Sequence, residues 1–409
     1  MEENQVPIKK MITIKKAKTM IQKASQALEE EKINISNALG RVLSRSIKAL
    51  TDNPPFDMSS MDGYAIKFSK EQQSNYTITG KIFAGSKKSY NVRDLDAIRI
   101  FTGASMPKGT NTVILQEEVI KKKDNKIEII NKYKKNQYVR KKGRDFKKGD
   151  VLLKKNHVIT ARDIGLLISG GCSSLSVYKL PRIAIVSTGD ELALPGTKLK
   201  QGQVYASSMQ IINNLLTTLG INKYKNIIVK DNLISLKRTY DSLTNFDLII
   251  STGGISVGDK DLVLKALNSL NFKKVFWKVS IKPGKPMLFG LLNNKLFFGL
   301  PGNPVSTYVC FLIFIYESIL IMSHKIKTRI NTKKAILLKD LRETSKRDAY
   351  LRGITNLNDS KLFVRALSDQ DSSLLKNLAL SNCLIKFPMS KTIIKKNELV
   401  EIIEFPTQF

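Results

Sequence analysis

Two loops of matching text hold the residues best suited to anion chemistry. "VSTGDEL" at 186–192 and "ISTGGISVGD" at 250–259 each place Ser-Thr-Gly after an apolar run. Glycine lets backbone N–H groups come close to an anion, and hydroxyls add donors. The candidate ligand contacts are Ser187, Thr188, Gly189, Ser251, Gly253, Gly254 and Ser256. Glu191, Asp259 and Asp261 stand beside them, and a phosphate with a carboxylate-held Mg2+ accounts for loops and acids together. For Asp259 alone, helix N-capping is an equal alternative. "WKVSIKPGKP" spaces Lys278, Lys282 and Lys285 along a strand and a Pro-Gly turn. The rigid turn fixes where Lys282 points, against the plain alternative of solvated lysines. "GLPGNPVS" at 299–306 sets Pro301 and Pro304 before a helix start. That is either a preorganised anion seat or a capped tight turn. "NPPFDMSSMDGYAIKF" at 53–68 adds two acids, Asp57 and Asp62, in a strongly basic chain.

These residues need a scaffold. From Pro181 the text alternates strand and helix: "RIAIVSTGDEL", "SSMQIINNLLTTLG", "YKNIIVKDN", a helix from 232, then "FDLIISTGGISVGDKD". The pattern predicts a parallel α/β sheet covered on both faces, with ligands outside the carboxyl ends of its strands. Before it, 13–33 and 38–50 read as helices, 76–153 as an all-β module, and 160–171 as a short helix. From about 328 short strands return, suggesting a small β-barrel. "PVSTYVCFLIFIYESIL" is nearly long enough to span a bilayer. Glu317 and several hydroxyls interrupt it, and Asn303-Pro304 reads as N-cap plus first helical position, so a buried core helix is expected.

Composition narrows the chemistry. The 409 residues are enough for several domains, and 42% apolar content fits a folded chain. The net charge of +33 suggests anionic partners. Basic stripes interleaved with aromatics are missing, so scattered solvated lysines explain the charge better than a nucleic-acid surface. Cys172, Cys310 and Cys383 are far apart, and His157 and His324 are isolated. Zinc sites, disulfides and Ser–His or Cys–His catalysis are therefore disfavoured, and a reducing cytoplasm fits. The polar start carries no secretory pattern, and lysines interrupt the apolar runs, so no membrane association is expected.

Taken together, "FDMSSMDGYA", "FTGASMP", "STGDEL", "STGGISVGDKD", "IKPGKP" and "GLPGNPVS" resemble the molybdopterin molybdenumtransferase (MoeA) family, which is related to the gephyrin E-domain. The resemblance runs from near residue 13 to the end. It implies a multidomain α/β fold around a molybdopterin-binding parallel-sheet sandwich at 181–327. A discontinuous helical and extended linker domain at 8–53 and 145–180, a β-rich domain at 54–144 and a C-terminal β-barrel at 328–409 complete it. It implies Asp62, Thr102, Asp145, Lys278 and Lys282 as catalytic residues, and Glu191, Asp231 and Asp261 as Mg2+ ligands. Pro301, Pro304 and either Ser372 or Ser373 join the substrate contacts. Arg144, Asn232 and Asp371 depart from the family's usual glutamate, acid and glycine.

The implied reaction inserts molybdate into adenylylated molybdopterin and releases AMP. Its cleft is shared between the subunits of a homodimer, and contact with the molybdopterin adenylyltransferase is part of the expectation. The nearest rival is that adenylyltransferase activity itself, because the α/β sandwich alone occurs there. The β module and the C-terminal barrel argue for insertion. A scaffold protein and a nucleic-acid binder are the readings from other classes. Within 53–68, Asp62 is the functional acid and Asp57 a turn or capping residue. Pro54 and Pro55 read as stiffeners, and Gly63 as the turn that lets Asp62 project.

Overall fold

A computed structural model describes residues 11–255, 262–325 and 332–406. The chain divides into two compact units. One joins the residues up to Glu31 with those from Tyr178 onward, and the other is Lys32–Val177.

The larger unit is built on a six-stranded sheet. Its order is Tyr224–Val229, Ile183–Thr188, Leu248–Thr252, Lys295–Leu300, Leu288–Leu292 and Phe272–Trp277. The first four strands are parallel and the last two antiparallel. Ile183–Thr188 and Leu248–Thr252 are buried along their whole length, which is why both read as unbroken apolar runs. Alternate side chains serve opposite faces. Ile183, Ile185, Leu248 and Ile250 pack with the helix Ser207–Thr218 and the long helix from Pro304. Ala184, Val186 and Ile249 pack with helices Leu233–Asp241 and Leu262–Asn268.

The long helix, Pro304–Met322, starts as the sequence predicts, with the Asn303 side chain accepting from Val305 N. It is apolar and long enough to cross a bilayer, yet 83% of that stretch is buried inside the protein. Its middle, Phe311–Ile315, is wound as a π-helix.

The expected linker segment 8–53 is divided between the units. The helix Ile14–Ala24, capped by Thr13, buries Ile14, Ala17 and Ile21 in the core beside the long helix. Ser25 Oγ lies 2.6 Å from Ser318 Oγ, and Gln22 donates to Glu317 at 2.7 Å. Its apolar stripe at i, i+3 and i+7 needs an apolar partner, and the helix at 316–322 supplies one.

Five strands, Thr332–Leu337, Asp348–Asn358, Lys361–Ala366, Cys383–Phe387 and Leu399–Glu404, close into a barrel through pairing of 348–358 with 383–387. Its core holds Leu337, Leu351, Val364, Ile385, Phe387 and Ile402. The strand Asp348–Asn358 also pairs in parallel with Ile281–Lys282. All three cysteines, Cys172, Cys310 and Cys383, are buried with free thiols.

The second unit contains a six-stranded sheet in the order Thr112–Leu115, Gly63–Ile66, Asp96–Ile100, Asn75–Ile82, Lys126–Ile129 and Val119–Lys121. Beside it, Ala38, Leu43, Leu153, Ile159, Leu167 and Val177 form a separate core under the helix Ala161–Ser169. The helix expected at 38–50 does not form. Val42 bridges to Val158, Leu43 bridges to Val177, and Ile47–Lys48 pairs with Val151–Leu153. Gly40, with a φ of 72°, breaks the local helix, and strand pairing overrides a weak helical propensity.

The packing of the N-terminal helix can be tested directly. Ile21→Ala removes a side chain that is 2% exposed. It should cost about 2–4 kcal/mol. The single tryptophan, Trp277, lies in the same unit and reports the transition by fluorescence. An unchanged urea midpoint would refute the packing.

Candidate active site

Strand register brings the loops together. Thr188 pairs with Val229, Ser187 with Thr252, and Thr252 with Leu300. The residues that follow, 189–191, 230–231, 253–255 and 301–304, leave the sheet at one edge. Backbone bonds stitch them: Gly189 N donates to Val229 O and Gly253 N to Leu300 O, each at 3.3 Å. Asp231 N donates to Asp190 Oδ1 at 3.3 Å. Gly253 and Gly254 have positive φ. A Cβ on Gly253 would fall 2.4 Å from Thr188 O, and one on Gly254 2.8 Å from Thr188 Oγ1. Both conformation and space therefore require glycine.

The hydroxyls of the two Ser-Thr-Gly loops do not all face a ligand. Ser187 Oγ bonds Thr252 Oγ1 at 2.9 Å, and Ser251 Oγ bonds the Tyr240 hydroxyl at 2.7 Å, both fully inside the protein. The expectation that Ser187 and Ser251 donate to substrate is corrected accordingly. Sequence spacing cannot tell a strand's last inward residue from the first residue of its loop. Thr188 differs: its Oγ1 is buried, packed against Gly253 and Gly254, and has no hydrogen-bond partner among the described residues.

The acids sit on neighbouring loops. Glu191 folds its carboxylate back over Gly189, where a Cβ would meet both carboxylate oxygens at 2.6 Å. Glu191 and Asp231 are exposed. Ser256, Asp259 and Asp261 lie outside the described residues, and among those described no cluster of three metal-ligating side chains forms. Asn232 caps its helix by accepting from Ser235 N at 2.8 Å.

Lys278 and Lys282 both precede the turn at Pro283-Gly284. The turn is closed by Val279 N donating to Lys285 O at 3.1 Å. Gly284 packs so tightly on Cys310 that a Cβ would fall 2.4 Å from its Sγ. Lys278 holds its ammonium 4.3 Å from the centre of the Trp277 ring. Lys282 Nζ is paired with Glu343, at 2.9 Å from Oε1 and 3.0 Å from Oε2.

The Pro301–Pro304 loop meets the barrel. Thr307 Oγ1 donates to Pro301 O at 2.8 Å, and Ser208 Oγ to Gly302 O at 2.9 Å. Asn303 Nδ2 reaches Ser372 Oγ at 3.3 Å. Ser373 instead bonds Asp371 Oδ1 through both its N–H and its hydroxyl, at 2.7 and 2.6 Å. Of the two serines, Ser372 is the one at the loop. Arg352, 1% exposed, supports this segment by donating to the carbonyls of Asp369 and Asp371. Its role was not legible in the sequence, where it is one arginine in a barrel strand.

In the second unit Asp62 is bound to Thr102, forty positions away in sequence. Asp62 Oδ1 accepts from Thr102 N at 2.8 Å and from Thr102 Oγ1 at 2.9 Å. These two bonds, aided by Arg99, hold its carboxyl below the usual carboxylate range. Gly63 has no positive φ; it opens a strand so close to its neighbour that a Cβ would lie 1.9 Å from Ile114 O. The expected projecting turn is thus a close strand contact. Asp57 accepts from Lys142 N and pairs with Lys141, each at 2.8 Å, which ties its loop to the segment at 141–142. Asp145 accepts from Asn53 Nδ2 at 3.0 Å. It lines an open cleft of about 390 Å³ with Asn53, Pro54, Met58, Arg140 and Arg144. Arg140 is a further cation that the motif reading passed over, although it opens the run "RKKGRD" that ends at Asp145.

Comparison with known proteins covers the chain in three parts. The MoeA N-terminal region (domain I and II) matches residues 12–171, a probable molybdopterin binding domain matches 184–320, and the MoeA C-terminal region (domain IV) matches 334–405. A molybdopterin molybdenumtransferase of Haemophilus influenzae is 33% identical over 97% of this chain and 99% of its own length. One from Nostoc is 32% identical over 95% of this chain and 91% of its own. A solved molybdopterin biosynthesis MoeA protein of Pyrococcus horikoshii superposes with a TM-score of 0.77 at 25% identity, covering 97% of this chain and 99% of that one. Likeness of this extent, with the motif residues on loops that one sheet edge brings together, makes this chain a member of the molybdopterin molybdenumtransferase (MoeA) family.

Proposed function

We propose that the protein inserts molybdate into adenylylated molybdopterin and releases AMP, the last common step of molybdenum cofactor biosynthesis. The observation that carries this reading is the convergence of loops 189–191, 230–231, 253–255 and 301–304 at one sheet edge in a chain that matches this family end to end. Both substrates are anionic. Lys278, through its charge, and Lys282, as a hydrogen-bond donor, hold the phosphoanhydride and the molybdate oxyanion, which lowers the cost of bringing them together. Gly253 and Gly254 let the substrate approach the backbone beside Thr188. Pro301, Pro304 and Ser372 shape the molybdate seat.

Glu191, Asp231 and Asp261 would hold Mg2+. The carboxylates of Glu191 and Asp231, exposed on adjoining loops, are hard oxygen donors, which suits this ion. When bound, the ion polarises phosphoryl oxygens. Water attacks the phosphoanhydride so that AMP leaves, and the two dithiolene thiols bond molybdenum as one molybdate oxygen departs with their protons as water. Asp62, kept ionised by Thr102, positions the reacting groups, with Asp145 in the same role. The protein acts as a cytoplasmic homodimer in which the partner subunit supplies the Asp62 side of the cleft. The substrate is received from the molybdopterin adenylyltransferase. No nucleic acid or membrane takes part.

The reading predicts that purified protein given adenylylated molybdopterin, molybdate and Mg2+ releases AMP and yields active cofactor; a silent reaction overturns it. Chelation by EDTA should abolish AMP release and added Mg2+ restore it, whereas turnover that survives chelation removes the metal from the proposal. Asp62→Asn should leave folding intact and slow insertion by about 100-fold, the low end for a positioned carboxylate. Wild-type turnover in that variant would remove Asp62 from the site.

A further inference from the structure

We propose that Glu343, on the C-terminal side of the chain, is a positioning residue for Lys282, fixing where its ammonium points and how strongly it holds an anionic substrate. The inference rests on the proposed reaction, in which Lys282 meets the anionic substrates. Glu343 has a side chain only 6% exposed, against 37% for Lys282. Burying a carboxylate this deeply is costly unless it is paired and hydrogen-bonded. Lys282 supplies the charge, at 2.9 and 3.0 Å from the two oxygens. Ser345 N supplies the remaining bond, donating to Oε1 at 2.8 Å. Burial pushes the Glu343 carboxyl up, but Ser345 and Lys282 outweigh it and the group stays below its ordinary range.

The same short segment holds the lysine's backbone. Arg347 Nη1 donates to Ile281 O at 3.2 Å, and Ile281 and Lys282 pair with Asp348 and Ala349. Residues 343–349 therefore grip Lys282 at both ends, chain and tip. Two of the three ammonium hydrogens face the carboxylate, which leaves one for a ligand on the exposed side. Lys278 is different. Its ammonium rests over Trp277, and it has no carboxylate partner among the described residues. The two lysines thus divide the work: Lys278 offers nearly its full charge, and Lys282 offers a directed hydrogen bond with its charge largely compensated.

The test compares Glu343→Gln, Glu343→Asp, Lys282→Met and the Glu343→Gln/Lys282→Met double variant. Glu343→Gln should lower kcat by about tenfold, the scale of a misplaced group. KM for molybdate should stay level or fall, because the lysine's charge is released. Glu343→Asp should recover part of kcat. In the Lys282→Met background, Glu343→Gln should change kcat by less than about twofold, since the two act as one unit. An unchanged kcat in Glu343→Gln overturns the proposal, and so does an equal loss in both backgrounds. Reductive methylation, read at Lys282 by peptide mass spectrometry, needs no turnover. Labelling should be about fivefold faster in Glu343→Gln, because losing the carboxylate frees the amine. Equal labelling overturns the contact. A wild-type protein that releases no AMP tells against the reaction instead, and the labelling still decides the role of Glu343.

Discussion

The parallel register of four strands is the constraint on which everything else depends. With Thr188 against Val229, and Thr252 against both Ser187 and Leu300, four chain segments must leave the sheet at the same height. A slip of one residue would turn every buried side chain of Ile183–Thr188 to the wrong face. The two apolar layers, one on each side of the sheet, forbid that slip. Hydrophobic packing thus sets the positions of the polar loops, and Ile255 ties one of them into the core.

A second level of order lies in the close approaches. Gly253, Gly254 and Gly284 each fill a place where a methyl group would strike backbone or a buried side chain. Thr188 Oγ1 is left inside that crowding without a partner among the described residues. An unsatisfied buried hydroxyl costs about 1–3 kcal/mol. Such a cost at a loop edge is typical of a site arranged for something other than stability.

Much of this was legible in the sequence, for physical reasons that differ by element. Buried parallel strands appear as unbroken apolar runs, so 183–188 and 248–252 stood out. Asn303-Pro304 announced a helix start because capping chemistry is local. The helix expected at 38–50 failed because its apolar spacing also satisfies pairing with Val158 and Val177, partners more than a hundred residues away. Contacts made by folding alone left no trace in spacing: Thr102 on Asp62, Asn303 on Ser372, Glu343 on Lys282. Ser187 and Ser251 were misread because a motif names residue types and not the direction in which they point.

The buried cysteines bear on molybdenum in a different way. Burial pushes the thiols of Cys310 and Cys383 up to about 12 and raises that of Cys172 as well. The protonated thiol is a poor metal ligand, since the thiolate is the species that binds. Buried and protonated, these three thiols do not compete with the dithiolene sulfurs of a molybdopterin substrate for molybdenum.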